Sequence, residues 1–416
     1  MDKLIRVRRQ KLIIGVVVLL FAGINSAWSI TNAPFRMTGA VDGIDAVLNY
    51  TQLGLNYTMY TLFFCLGSVC TGLISKQTSA TLRLVLSALL IFSSYTVSSL
   101  LIVTLPVTRN YFMLYMAYGL LGGLGIGMAY NTVISTVNMW FPDKRGFCSG
   151  VLMMGFGLSL LILGRLTDIM GRSELLGWRG TYLAIAITLG VIFIIAAIFI
   201  KPPPKGAIFP PPKGSENNRA AGEPRDYTTL EMIKRPSFTL IFLYCTILAS
   251  LGTATIGFAC DIAVEAGATA SFAVTAAGFL GLFNGIGRFV SGWLFDNHGI
   301  RKTQLISSAV AILAPLTVVS ALAGNSMALG LIGLCLCGLT FGFAPTTSSV
   351  FAAEFYGKKN FSLNFGIFAL MLVPASFATT LAGSIRTSTG GFTTVFIILA
   401  ALSVVAFLLN LGIRKP

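Results

Sequence analysis

"GTYLAIAITLGVIFIIAAIFI" occupies residues 180–200, and "KPPPKGAIFPPPKGSENNRAAGEPRDYTTLEMIKRP" follows directly at 201–236. The first stretch has no charge over its whole length. At 1.5 Å per residue it spans about 30 Å as a helix, the thickness of a bilayer's hydrocarbon core. Hydrocarbon offers no partner to backbone N–H and C=O groups, so such a run must be a helix. The second stretch is proline-rich, polar and charged, without apolar periodicity, and reads as an extended linker.

Similar apolar runs recur on both sides. Twelve are expected, at residues 11–31, 54–75, 81–104, 110–136, 146–167, 179–200, 237–258, 271–295, 302–322, 326–352, 362–385 and 391–413. The chain is 55% hydrophobic and 10% charged, against roughly 25% charged for a soluble domain. The first run follows a basic arm, but no small-residue cleavage site closes it and eleven more follow, which argues against a secretory signal.

The net charge of +15 invites a nucleic-acid reading, and its distribution removes it. With alternating loops, 22 of the 29 Lys and Arg fall on the side of the two termini. Six fall opposite: Arg36, Arg109, Arg165, Arg172, Arg179 and Arg386. This is the positive-inside bias, and it predicts cytoplasmic termini. One cation, Arg288, belongs to neither side. The seven cysteines form no Cys-x-x-Cys pair and read as small hydrophobes. A single histidine leaves no histidine-built metal site, and no cofactor is expected.

The linker divides the chain into residues 1–200, 201–235 and 236–416, six helices on each side. The halves echo each other. "WFPDKRG" (140–146) follows the fourth run and "EFYGKKN" (354–360) the tenth. "GLISKQTSATLR" from Gly72 is matched by "GWLFDNHGIRK" from Gly292. Two six-helix repeats joined by a polar loop describe a secondary transporter, whose site lies between the repeats near the midplane. The fold class is therefore an all-α membrane protein of twelve transmembrane helices in two pseudo-symmetric six-helix bundles.

Glycines four apart, at Gly119/Gly123, Gly123/Gly127, Gly281/Gly285 and Gly338/Gly342, lie inside apolar runs and are expected to pack helix against helix. They are not a nucleotide loop, which requires a preceding strand. Arg165 and Asp168 are expected to pair near the outer end of the fifth helix.

Arg288 lies about 10 Å inside the eighth run. A long side chain can snorkel from near a helix end. Against that, an arginine well inside a membrane helix costs about 2.5–3.5 kcal/mol and usually faces a cavity or a partner. Its neighbours at i±3 and i±4 are Gly285, Ser291, Asn284 and Gly292, none of them acidic. The planar guanidinium matches a carboxylate bidentately and stays charged at physiological pH, so the missing partner points to an anionic ligand. Asn284, one turn earlier on the same face, is placed to share that ligand or to orient the arginine.

Gly292, Asp296, Gly299, Arg301 and Lys302 form a G-x-x-x-D-x-x-G-x-R-K turn. It resembles the helix 8–9 signature of the major facilitator superfamily. "NMWFPDKRGFCSG" (138–150), "FNGIGR" (283–288) and "NFGIF" (364–368) are similar to the oxalate/formate antiporter branch and the related monocarboxylate transporters, over essentially the whole chain. The resemblance implies gating at the terminal side by Asp296, Arg301, Lys302, Asp143, Lys144 and Arg145. Asp296 is expected to pair with cations in its own or an adjacent turn. It implies a cavity lined by Tyr130 and Phe341, with Ser26 where a tyrosine is usual in helix 1. Related monocarboxylate carriers often hold an aspartate at the place of Asn284, linked to proton coupling. The antiporter branch has a lysine eight residues after the asparagine of its helix 11 motif; here that position is Leu372.

One fixed cation suits a monoanion and two suit a dianion. The expected function is therefore alternating-access transport of a small monocarboxylate, with substrate at Arg288, Asn284, Tyr130, Phe341, Ser26 and Leu372. Alternatives are an oxalate-type dicarboxylate/formate exchanger, a drug exporter and a carboxylate sensor. The chain shows no catalytic constellation and reads as no enzyme. The expected partners are the carboxylate, the lipid bilayer and a coupled proton or counter-anion, with no nucleic acid. A monomer in a prokaryotic plasma membrane fits the short termini.

Overall fold

The computed structural model describes residues 2–36, 50–108, 111–204, 206, 209 and 226–416. Arg109 and most of the linker, at 205, 207–208 and 210–225, lie outside the described residues. Among the described residues every regular element is a helix. The first half of the chain holds α1 (Arg6–Ala27), α2 (Leu55–Ile74), α3 (Ala80–Ile102), α4 (Tyr111–Asn138), α5 (Arg145–Gly171) and α6 (Gly177–Phe199). The second half holds α7 (Pro236–Gly257), a run Thr275–Ala323, α10 (Met327–Glu354), α11 (Phe361–Arg386) and α12 (Thr393–Gly412).

The run Thr275–Ala323 has 49 residues, more than twice the roughly 20 that cross a bilayer. It is two helices. Gly299 has φ 75° and ψ 173°, a conformation that costs a glycine little and other residues much. The break separates α8 (275–298) from α9 (300–323), at the glycine of the turn motif. Among the described residues, eleven apolar runs by length thus make twelve crossings.

Several helices are less regular than the apolar pattern suggests. α1 passes through a 3-10 turn at Gly23–Ala27, and α4 and α5 contain π-helical stretches at Tyr115–Gly122 and Leu160–Gly164. α11 breaks between its segments Phe361–Ala369 and Leu372–Thr389. Pro374 accounts for that break. It has no N–H to give the carbonyl of Leu370, and its ring crowds that carbonyl. The Val373 N–H takes the Leu370 carbonyl at 3.0 Å instead. The Ala369 carbonyl accepts from the Cys65 thiol of α2 at 3.2 Å.

Both termini lie at one end of the bundle, here called the terminal face. Arg8 reaches Asp143 in the α4–α5 turn, and Arg301 in the α8–α9 turn reaches the Asn410 carbonyl at 3.2 Å. The halves approach most closely at this face. A Cβ on Gly292 of α8 would collide with the Gly146 carbonyl at the start of α5. Farther along the same pair, a Cβ on Gly281 would stand 3.3 Å from Leu160, and one on Gly278 4.0 Å from Leu161. α5 and α8 therefore separate toward the opposite face. The described state is closed at the terminal face.

Gly338 and Gly342 of α10 pack as expected. A Cβ at Gly342 would strike the Asn284 carbonyl and lie 2.8 Å from the Arg288 nitrogen. No side-chain motion relieves a clash with backbone. Gly342→Leu is expected to cost roughly 3 kcal/mol or more, lowering the thermal midpoint in detergent by several degrees; an unchanged midpoint would contradict this packing.

Candidate functional site

The backbone contact between α8 and α10 fixes the position of Arg288. The Thr346 hydroxyl of α10 donates to the Arg288 carbonyl at 3.2 Å, which holds the two helices in register. From there the Arg288 side chain runs into the interior, 5% exposed. Its Nε donates to Asn284 Oδ1 at 3.2 Å and its Nη1 to the Met153 carbonyl of α5 at 3.4 Å. The guanidinium carbon lies 5.6 Å from the Phe156 ring centre and 5.9 Å from that of Phe341. The charge thus sits between the halves: Met153 and Phe156 come from the first, Asn284 and Phe341 from the second.

The guanidinium has five N–H donors, and the two bonds above use two. Among the described residues, the ion pairs are Arg8–Asp143, Arg145–Glu354 and Arg172–Asp168. None involves Arg288. The ring faces of Phe156 and Phe341 offer partial cation–π compensation, but among the described residues no anion balances the charge. Snorkelling does not describe this side chain, which is enclosed and bonded across to the other half.

Tyr130 belongs to the same cluster. Its ring lies 5.3 Å from both Phe64 and Phe156 and stacks on Phe365 at 6.0 Å. It shares Phe156 with Arg288. Arg288, Asn284, Phe341 and Tyr130 are therefore brought together. Ser26, in the 3-10 turn of α1, and Leu372, which opens the second segment of α11, are both half-buried. No hydrogen bond or ring contact ties either to the cluster among the described residues. Phe156, Phe64, Phe365 and the Met153 carbonyl were missed in the sequence. A phenylalanine in a greasy helix carries no local mark, although Phe365 sits inside the "NFG" motif.

The terminal-face residues divide in two. Asp296 spans the halves, but not by pairing with cations as expected. Its carboxylate accepts the backbone N–H groups of Gly146 at 3.0 Å and Phe147 at 2.6 Å. These lie in the first turn of α5, where N–H groups lack helical partners and the helix dipole favours an anion. Arg145 also spans the halves, reaching Glu354 at 3.5 Å. Asp143 instead binds Arg8 through both oxygens, at 2.9 and 3.0 Å, within the first half. Arg301 bonds within the second half. Lys144 and Lys302 are exposed. Asn131, unmarked in the sequence, adds a further bridge: its amide donates to the Ser68 and Ser362 carbonyls and accepts from the Ser362 hydroxyl at 2.8 Å. At the outer end of α5, Asp168 pairs with Arg172 at 2.8 Å rather than with Arg165, the i,i+4 spacing giving the better reach.

The Major Facilitator Superfamily profile matches residues 12–378. The chain belongs to the Major Facilitator Superfamily. It is a membrane transporter, not an enzyme. It is similar to the oxalate:formate antiporter of Oxalobacter formigenes, 27% identical over 71% of this chain and 68% of that protein. It is also similar to monocarboxylate transporter 12 of Rattus norvegicus, 22% identical over 68% of this chain and 63% of that one. Among solved structures it resembles the E. coli fucose:proton symporter FucP (TM-score 0.70, 15% identity, 98% of this chain and 99% of that one). It likewise resembles the proton:xylose symporter XylE (TM-score 0.71, 15% identity, 98% and 96%). At that identity the two structures speak for the fold alone.

If Arg288 lacks a counter-charge, supplying one should relieve it. Asn284→Asp, one turn away, is expected to raise the thermal midpoint of the ligand-free carrier, and Asn284→Leu to lower it. A fall in both would contradict an uncompensated guanidinium.

Proposed function

We propose that this carrier moves small monocarboxylates by alternating access, with Arg288 as the counter-ion of the substrate. The observation that carries the reading is a guanidinium enclosed between the halves with no acidic partner among the described residues. A carboxylate completes its hydrogen bonding and cancels its charge. The phenyl rings of Phe156 and Phe341 flank the guanidinium and suit a short apolar substituent, while Asn284 and Tyr130 supply polar contacts. Leu372, rather than a second cation, favours one negative charge over two.

Residues 1–200 and 236–416 move as two bundles joined by 201–235. The distribution of basic residues supports a cytoplasmic terminal face. The bridges from Asp296 to Gly146 and Phe147, from Arg145 to Glu354, and from Asn131 to Ser362 close that side and must part for inward release. Asn284 cannot titrate, and an arginine guanidinium is charged at any physiological pH. An empty carrier therefore carries a bare charge through the transition, whereas a loaded one does not, which favours exchange of one anion for another. The names of the similar oxalate:formate antiporter and monocarboxylate transporter 12 support an organic-anion substrate.

In proteoliposomes, wild-type protein is expected to take up labelled formate, lactate or pyruvate in preference to oxalate. Arg288→Ala should lower that uptake about 100-fold or more, the cost of removing one member of a buried charged pair. Unimpaired uptake by the variant would overturn the role of Arg288. Leu372→Lys should shift preference toward oxalate; an unshifted ratio would refute charge counting as the basis of selectivity.

A further inference from the structure

A cavity of about 330 Å³ opens at the terminal face between the start of α1 and the α4–α5 turn, lined by Arg8, Arg9, Leu12, Phe141, Lys144 and Phe147. Its lining comes from the first half and includes no residue of the Arg288 cluster, although Phe147 meets the Phe289 ring of α8 at 6.0 Å. Its floor is apolar and its rim cationic. Arg8 is already neutralised by the bidentate pair with Asp143 and stacks 4.7 Å from the Phe141 ring centre. Arg9 and Lys144 are exposed and have no acidic partner among the described residues. The rim therefore carries two uncompensated positive charges above an aromatic and aliphatic floor.

The depth of the cavity says what it faces. On α1, Arg9, Ile13 and Val17 follow at four-residue spacing and share one stripe. Ile13 is 64% and Val17 44% exposed, as befits side chains against acyl chains. Arg9 stands one turn above them, at headgroup level. A soluble anion would gain from the rim but not from the stripe below it; a phospholipid gains from both. Basic pockets at a membrane face are suited to anionic headgroups.

We propose that this cavity binds the phosphodiester headgroup of an anionic phospholipid between Arg9 and Lys144, with an acyl chain along Ile13 and Val17. The occupant rests on Phe147, whose N–H is held by Asp296 of the other half. The lipid thus sits against the joint that closes the terminal face.

The test is native mass spectrometry of the full chain from detergent, offered phosphatidylglycerol and phosphatidylcholine with identical acyl chains. Wild type is expected to retain phosphatidylglycerol preferentially, and Arg9→Gln with Lys144→Gln to lose that preference by roughly tenfold. Arg9→Lys with Lys144→Arg should keep it, which separates lost charge from lost folding. Arg414→Gln with Lys415→Gln, which removes two terminal-face charges elsewhere, should also keep it. Retained preference in the Arg9/Lys144 glutamine variant, or equal loss in the Arg414/Lys415 variant, would overturn the site. So would displacement of the lipid by equimolar glycerol 3-phosphate, which has the phosphate without the chains.

Discussion

A guanidinium held in hydrocarbon must be solvated by the protein or by what the protein binds. Arg288 finds one side-chain amide, one distant carbonyl and two ring faces, and no carboxylate among the described residues. Everything around it is arranged to keep it in place. Glycines at 338 and 342 bring the α10 backbone against α8, Thr346 bonds the Arg288 carbonyl, and Met153 of α5 receives the side chain from across the interface. On the proposed reading, the unfinished part of its coordination is the part a substrate fills. Where substrate supplies the only balancing charge, binding and charge neutralisation become one event.

The same separation of tight and loose contact would organise the proposed movement. Backbone touches backbone where Gly146 meets Gly292, and the gap widens along α5 and α8 toward the other face. The terminal-face bridges use groups that lose little on parting. Asp296 holds N–H groups of a helix start that water can satisfy, and Arg145 and Glu354 are an ion pair near the surface. The break in α11 at Pro374 and the π stretches of α4 and α5 provide places where helices can bend without losing regular structure elsewhere.

The architecture was legible because hydrocarbon permits so few solutions. Length and hydropathy specify helices, and the bias of basic residues alternates with them. Arg288 was legible for the same reason, since a charge in an apolar run is costly and conspicuous. The neighbours of Arg288 were only partly so. Asn284 follows from helical spacing, whereas Phe156 and the Met153 carbonyl come from a helix more than a hundred residues away and look like any other part of it. Asp296 was identified but given the wrong partner: charge suggested a cation, and two backbone N–H groups at the start of α5 take the carboxylate instead. The break in α11 was overlooked although Pro374 marks it, because the apolar run continues unbroken on both sides. Asp168 chose Arg172 over Arg165, a difference of one residue in spacing that sequence alone does not rank.

The most direct measurement is a structure of the carrier with trichloroacetate, an unreactive monocarboxylate whose chlorines can be located by anomalous scattering at long wavelength. The account predicts the carboxylate within hydrogen-bonding distance of the Arg288 guanidinium and the chlorines toward Phe156 and Phe341. Trichloroacetate bound elsewhere, with the Arg288 donors still unfilled, would contradict it.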